Sequence, residues 1–182
     1  MVTVKGITHV AQHPRPSRFN NFHISSVHPI SVVNNKLEFN YEVELDIITN
    51  TPQKKVTPIA RWLSFEGPGH FARGEKLVSI QAQSAVYRLN PPDNQLVPHH
   101  IKVLGFFKVV IFGNHIEGSD PDKINSCSFL FSPRQKYITL PASGPGDTIW
   151  VSGILRRRTR EIAYVDAIFI ALLDELNHPG RH

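Results

Sequence analysis

The chain has 182 residues, 41% of them hydrophobic and 19% charged, a globular composition long enough for one well-filled core. Twenty Lys and Arg against fifteen Asp and Glu give a net charge of +5, an excess that favours polyanionic partners. A single cysteine, Cys127, excludes an internal disulfide; no stretch approaches the roughly 20 apolar residues of a membrane span, and the opening residues lack a secretory apolar run, so the chain reads as intracellular, nuclear or cytoplasmic.

Residues 1 to 20, MVTVKGITHVAQHPRPSRFN, mix isolated apolar residues with two prolines and basic side chains, the pattern of a flexible basic arm. Residues 21 to 182 are expected to form one β-barrel domain. Charge is sorted along the chain: residues 1 to 35 hold Lys5, Arg15 and Arg18 and no carboxylate, Glu38, Glu42, Glu44 and Asp46 crowd one segment, and four arginines fall within residues 156 to 160.

Two β-rich runs, 22 to 33 and 36 to 48, flank Asn34-Asn35, a pair that tolerates positive φ and suits a hairpin turn. In the second run Leu37, Phe39, Tyr41, Val43, Leu45 and Ile47 alternate with polar residues, the period of a half-buried strand with its odd-numbered face in the core. Two further β-rich runs follow across Gly67-Pro68-Gly69, read as a turn, and prolines mark a loop at 90 to 100. The run IKVLGFFKVVIFGN does not alternate cleanly in polarity and predicts burial on both faces. Residues 114 to 122 read as a polar loop, KINSCSFLFS as a short strand, and 144 to 146 as a second Gly-Pro-Gly turn. From 162 the β-branched and aromatic residues predict a strand to about Ile170.

The final hairpin, GDTIWVSGILRRRTREIAYVDAIFIALL, resembles the closing strands of OB-fold domains, where a Gly-Asp turn precedes an alternating strand ending near a Gly. The resemblance implies an all-β, Greek-key barrel of OB type, with 22 to 33, 36 to 48 and 76 to 88 as its first three strands and an enlarged excursion at 89 to 145. A two-sheet β-sandwich is the alternative. In OB domains the loops joining the first two and the last two strands border a groove on the face of the second and third. By that analogy Arg156, Arg157, Arg158 and Arg160 line a groove and contact phosphates, with Trp62, Tyr87, Trp150 and Tyr164 available for base stacking.

This implies a non-enzymatic module for single-stranded nucleic acid, DNA or RNA. Three carboxylates on the second run, Glu42, Glu44 and Asp46, oppose that reading, because they would repel phosphate on the usual binding face. The rival is a protein-interaction or self-associating scaffold, in which the acidic strand of one copy of a homo-oligomer meets the basic hairpin of another. Aromatic residues in alternating strands are also ordinary core residues. No cofactor or metal site is expected: His9 and His13 share a face only on a helix, and His99-His100 point to opposite faces of a strand. Cys127 sits amid apolar residues as an inert thiol, and no nucleophile elbow, P-loop or dinucleotide fingerprint is present.

Overall fold

Val43, Leu45 and Ile47 are fully buried with Glu44 and Asp46 half-buried between them, so the period of two read at this point in the chain does build a core strand. The computed structural model describes residues 1–10, 15–16, 21–33, 36–50, 62–88, 101–133 and 144–173. Its contacts divide the chain into two compact units, one of Thr3–His70 with Leu77–Ile101 and one of Met1–Val2, Phe71–Lys76 and Lys102–His182. Among the described residues no helix is long and apolar enough to cross a membrane.

The first unit contains β1 (Val2–His9), β2 (Arg15–Pro16), β3 (Phe22–Val27), β4 (Ile30–Val33), β5 (Lys36–Phe39), β6 (Leu45–Thr49), β7 (Trp62–His70), β8 (Val78–Gln81) and β9 (Ser84–Arg88). The strand order is β1-β7-β8-β6-β3-β2, with β9 continuing along β7 beyond β8. All these pairs are antiparallel except β6 with β8. An antiparallel bridge from Thr8 to Pro29, beside a hydrogen bond from Thr8 Oγ1 to the His28 carbonyl (3.2 Å), brings β1 toward the chain that leaves β3.

Three expectations change in this unit. Val2–His9 is a strand with Val2 and Val4 fully buried, because the isolated apolar residues of the supposed arm fall on one alternating face; residues 11 to 14 and 17 to 20 lie outside the described residues. The run from 36 to 48 is two strands, since the chain turns at Tyr41 and Glu42, where the Glu42 amide donates to Asn40 Oδ1 (3.0 Å). That turn leaves Phe39 and Tyr41 38% and 67% exposed rather than in the core. β4 and β5 pair as the hairpin expected, with Val33 opposite Lys36, while Asn34 and Asn35 themselves lie outside the described residues. Gly67 is not in a turn but inside β7, and a Cβ there would sit 1.9 Å from the Gln81 carbonyl oxygen. Its role is close approach of two backbones.

The second unit contains β10 (Lys102–Phe112), β11 (Ile116–Ser119), β12 (Ser128–Pro133), β13 (Thr148–Arg158) and β14 (Ile162–Leu172). Their order is β11-β12-β14-β13-β10, and β10 also pairs with β11, closing the sheet into a five-stranded barrel. β12 and β14 run parallel while the other neighbours are antiparallel. In chain order this is 1-2-3-5-4 around a closed circuit, the topology of an OB-type barrel; closure excludes the two-sheet sandwich for this unit. Counting strands in the same way, β1, β3, β6, β7 and β8 of the first unit follow that neighbour order, again with the third and fifth parallel.

The fold class is therefore as the final hairpin implied, but the strands assigned to it are not. Residues 22 to 70 and 77 to 88 belong to the other unit, and the supposed excursion supplies β10, β11 and β12. β10 accomplishes two pairings by serving β13 along Lys102–Lys108 and β11 along Lys108–Phe112, with a register shift near Val109 that bends it. Its burial does alternate: Val103, Phe107 and Val109 point in, while Phe106, Val110 and Ile111 stay 40%, 46% and 56% exposed. Residues 116 to 119 are a strand and not a loop, since Ile116 and Gly118 are buried between half-buried Glu117 and Ser119; glycine at the inward position hides the alternation. The core is aromatic, with the ring of Phe107 4.8 Å from those of Phe129 and Phe131, and Phe71 against Phe129 at 5.1 Å. The second Gly-Pro-Gly does turn, with Gly146 at φ +94°, a region that glycine enters without strain.

Candidate functional site

The arginine-rich end of β13 is shaped by a slip of one residue. Along Ile149, Val151, Gly153 and Leu155 the odd positions point inward, and strict continuation would bury Arg157 and expose Arg158. Between Leu155 and Arg157 the pairing with β14 shifts, so that Leu155 opposes Val165 and Arg157 opposes Tyr164. Arg157 is consequently exposed and Arg158 fully buried.

Arg158 departs from the expectation of phosphate contact, for it has no surface. Its Nη2 donates to the Ala72 carbonyl (2.6 Å), its Nη1 to the Thr159 carbonyl, and its guanidinium carbon lies 5.9 Å from the centre of the Phe71 ring. Burial pushes its pKa below the ordinary guanidinium value. The group is a strut that joins Phe71–Lys76 to the β13–β14 turn, where the Gly74 amide also donates to the Arg160 carbonyl (2.7 Å).

The other three arginines lie at the surface. Arg156 Nε donates to Asp166 Oδ2 at 2.7 Å, an ion pair in which each side chain is roughly one third exposed or more. Arg157 places its guanidinium carbon 5.4 Å from the centre of the Tyr164 ring, within cation–π range. Arg160 is exposed in the turn between β13 and β14.

Register shows what surrounds them. Arg157 opposes Tyr164, Tyr164 opposes Leu130 and Leu130 opposes Glu117, one cross-strand row over β13, β14, β12 and β11 whose members share the outward face. Two positions along β14, Asp166 opposes Ser132, whose Oγ lies 3.2 Å from His115 Nδ1. This is the face of the second and third strands, bordered by the turns 113 to 115 and 159 to 161. Of its strands, β11 and β12 carry one carboxylate, Glu117; the acidic residues Glu42, Glu44 and Asp46 are in the other unit, where Asp46 accepts from Ser25 Oγ and faces His23 Nδ1, both at 3.3 Å. The electrostatic objection drawn from sequence does not apply to this barrel.

The remaining aromatics are not brought to that face. Trp150 is half-buried seven residues before Arg157 on β13, about 23 Å away along an extended strand, with its ring 4.8 Å from Phe106. Trp62 and Tyr87 belong to the first unit, on β7 and β9. Trp62 is 5% exposed with its ring edge-on to His9 at 5.6 Å; the Tyr87 hydroxyl is buried without a hydrogen-bond partner among the described residues, and burial raises its pKa. Sequence reading passed over Leu130, Ser132 and His115, whose only signal was membership of short strands and turns judged to be excursion.

Cys127 is 2% exposed, and burial pushes its thiol up to about 11, with nearby Arg158 pulling weakly the other way. Alkylation of the native protein at pH 8 is therefore expected to run about a hundredfold slower than of the urea-unfolded chain, from thiolate fraction alone. Because the folded state holds the proton more tightly, stability should fall as pH rises from about 9 through 11. Equal rates in native and unfolded protein would contradict this. Among the described residues no group of three or more His, Cys, Asp or Glu could hold a metal ion; His13, His99 and His100 lie outside them.

No protein-family model matches the chain, and no curated protein does. Among solved structures, a deletion mutant of the single-stranded DNA binding protein from Thermus aquaticus superposes with a TM-score of 0.54 at 10% identity, over 100% of this chain and 98% of that one. A murine DNA binding protein bound with double-stranded DNA aligns over 94% of this chain and 97% of its own at 12% identity, with a TM-score of 0.29. The first likeness is one of fold, and it is the OB type that the closed barrel already displays.

Proposed function

We propose that the barrel of β10 to β14 binds single-stranded nucleic acid, DNA or RNA, across the outward face of β11, β12 and β14. The observation that carries this reading is the Arg157–Tyr164 pair at 5.4 Å, a planar cation over a ring, in a row that leads onto the face of the second and third strands. Such a pair offers a stacking surface and a phosphate partner at one spot. Arg156 and the turn residue Arg160 supply charge beside it, while Leu130 gives an apolar floor. The Thermus aquaticus protein, described as binding single-stranded DNA, lends support through its shared fold. The reading is of a binding module.

Fluorescence anisotropy with a labelled oligothymidylate or oligouridylate between 50 and 300 mM salt tests it. Each phosphate neutralised contributes about −0.7 to the slope of log K against log salt for a single strand. The triple variant Arg156→Ala, Arg157→Ala, Arg160→Ala should lose about two units of slope and at least tenfold in affinity. Binding that ignored salt, or survived the triple change, would sink the reading.

A further inference from the structure

Beside the second-to-third-strand connection of the same barrel is a cavity of about 590 Å³ that the proposed strand-binding face does not use. Three cationic side chains line it: Arg73, Lys108 of β10 and Lys123. Hydroxyl groups from Ser119, Ser126 and Thr148 add polar lining. Among the described residues neither lysine pairs with a carboxylate, and Arg73 meets only exposed Glu161 at 3.8 Å.

The wall is built rigidly. Asp120 and Asn125 are 3% and 4% exposed, and the Asp120 carboxylate accepts from the Asp122 amide (3.0 Å), the Asn125 amide (3.0 Å) and Asn125 Nδ2 (2.8 Å). Asn125 Oδ1 in turn accepts from the Phe71 amide, and Ser126 Oγ from the Arg73 amide, both at 2.8 Å. The one carboxylate that lines the cavity among the described residues is thus spent on holding the loop. Lys123 has φ +56°, the left-handed region that costs a non-glycine residue stability and persists where the surroundings demand it; here its amide donates to the Asp120 carbonyl (3.1 Å).

We infer that this cavity is a second, separate site, one that takes a phosphate group, held by Arg73, Lys108 and Lys123. A compact anion with several acceptor oxygens suits a cavity lined by three cationic residues and by hydroxyl residues, which a neutral or cationic ligand does not. The inference stands whether or not the barrel binds a strand, and the phosphate has two sources to consider, a free phosphate or diphosphate and the terminal phosphate of an oligonucleotide.

Titrating the ¹⁵N-labelled full chain with sodium phosphate, against sodium chloride at equal ionic strength, tests it without any oligonucleotide. Saturable amide shifts should be confined to residues 119 to 128, Arg73, Lys108 and the 146 to 148 turn. The double variant Lys108→Ala, Lys123→Ala should weaken phosphate binding about tenfold while leaving the spectrum elsewhere intact. Shifts no larger than with chloride, or shifts in the double variant equal to those of the native chain, would overturn the proposal. The source is read with 5′-phosphorylated and 5′-hydroxyl oligonucleotides of one sequence: tighter binding of the phosphorylated form, abolished in the double variant, assigns the terminal phosphate, whereas equal binding together with tight diphosphate binding assigns the free ligand.

Discussion

Replacing Arg158 with alanine is expected to destabilise the C-terminal barrel by about 3 kcal/mol, with a fall of roughly 12 to 24 °C in its unfolding temperature. The side chain is fully buried and donates to two carbonyls, Ala72 and Thr159, which come from chain segments far apart in sequence. Its removal leaves both acceptors without their donor in a water-poor place and opens a void against Phe71. Lysine should not restore the loss, because a single ammonium cannot reproduce the planar fork that serves two divergent oxygens. Arg157→Ala, one position away but exposed, should cost under about 0.5 kcal/mol. Urea unfolding followed by Trp150 emission in a Trp62→Phe background reads this unit by itself. An unchanged midpoint for Arg158→Ala would remove the strut from the account.

That contrast between neighbours also marks how far the sequence could be read. Alternation over Val43 to Ile47 and over Ile149 to Leu155 signals strands with a buried face, since nothing local competes with a period of two. The closing hairpin carried enough of its own pattern to imply an OB-type barrel. What failed was assignment of partners: the strands from 22 to 88 have the right order for a first half, yet pairing is a property of long-range contact, and the short β11 with Gly118 at an inward position announces nothing. Two units of like strand order, with little sequence likeness to flag them, look from composition like one domain with a long excursion. The arginine cluster was legible as charge but not as geometry. A slip of one residue between Leu155 and Arg157 decides which guanidinium is inside, and no propensity encodes it. Hence four arginines read as one surface are in fact an ion-paired residue, a ring-stacked residue, a buried strut and an exposed turn residue.

Tyr164→Ala should weaken oligonucleotide binding by about 5- to 150-fold, the span that corresponds to one stacked base, while leaving the salt slope unchanged. The reasoning separates the two halves of the Arg157–Tyr164 pair. The ring contributes contact that salt does not screen, so its loss lowers affinity equally at 50 and 300 mM salt. Arg157→Ala should instead reduce the slope by about 0.7, one phosphate's share for a single strand. Tyr164→Phe keeps the ring and is expected to bind within about twofold of the native chain, and Arg157→Lys, which keeps the charge but not the planar face, should fall between. Trp150 provides the internal control, since it lies far along β13 with its ring against Phe106. Its emission should change little on binding. If Trp150 were strongly quenched while Tyr164→Ala bound normally, the strand would lie on the opposite stretch of the barrel, over β10 and the start of β13.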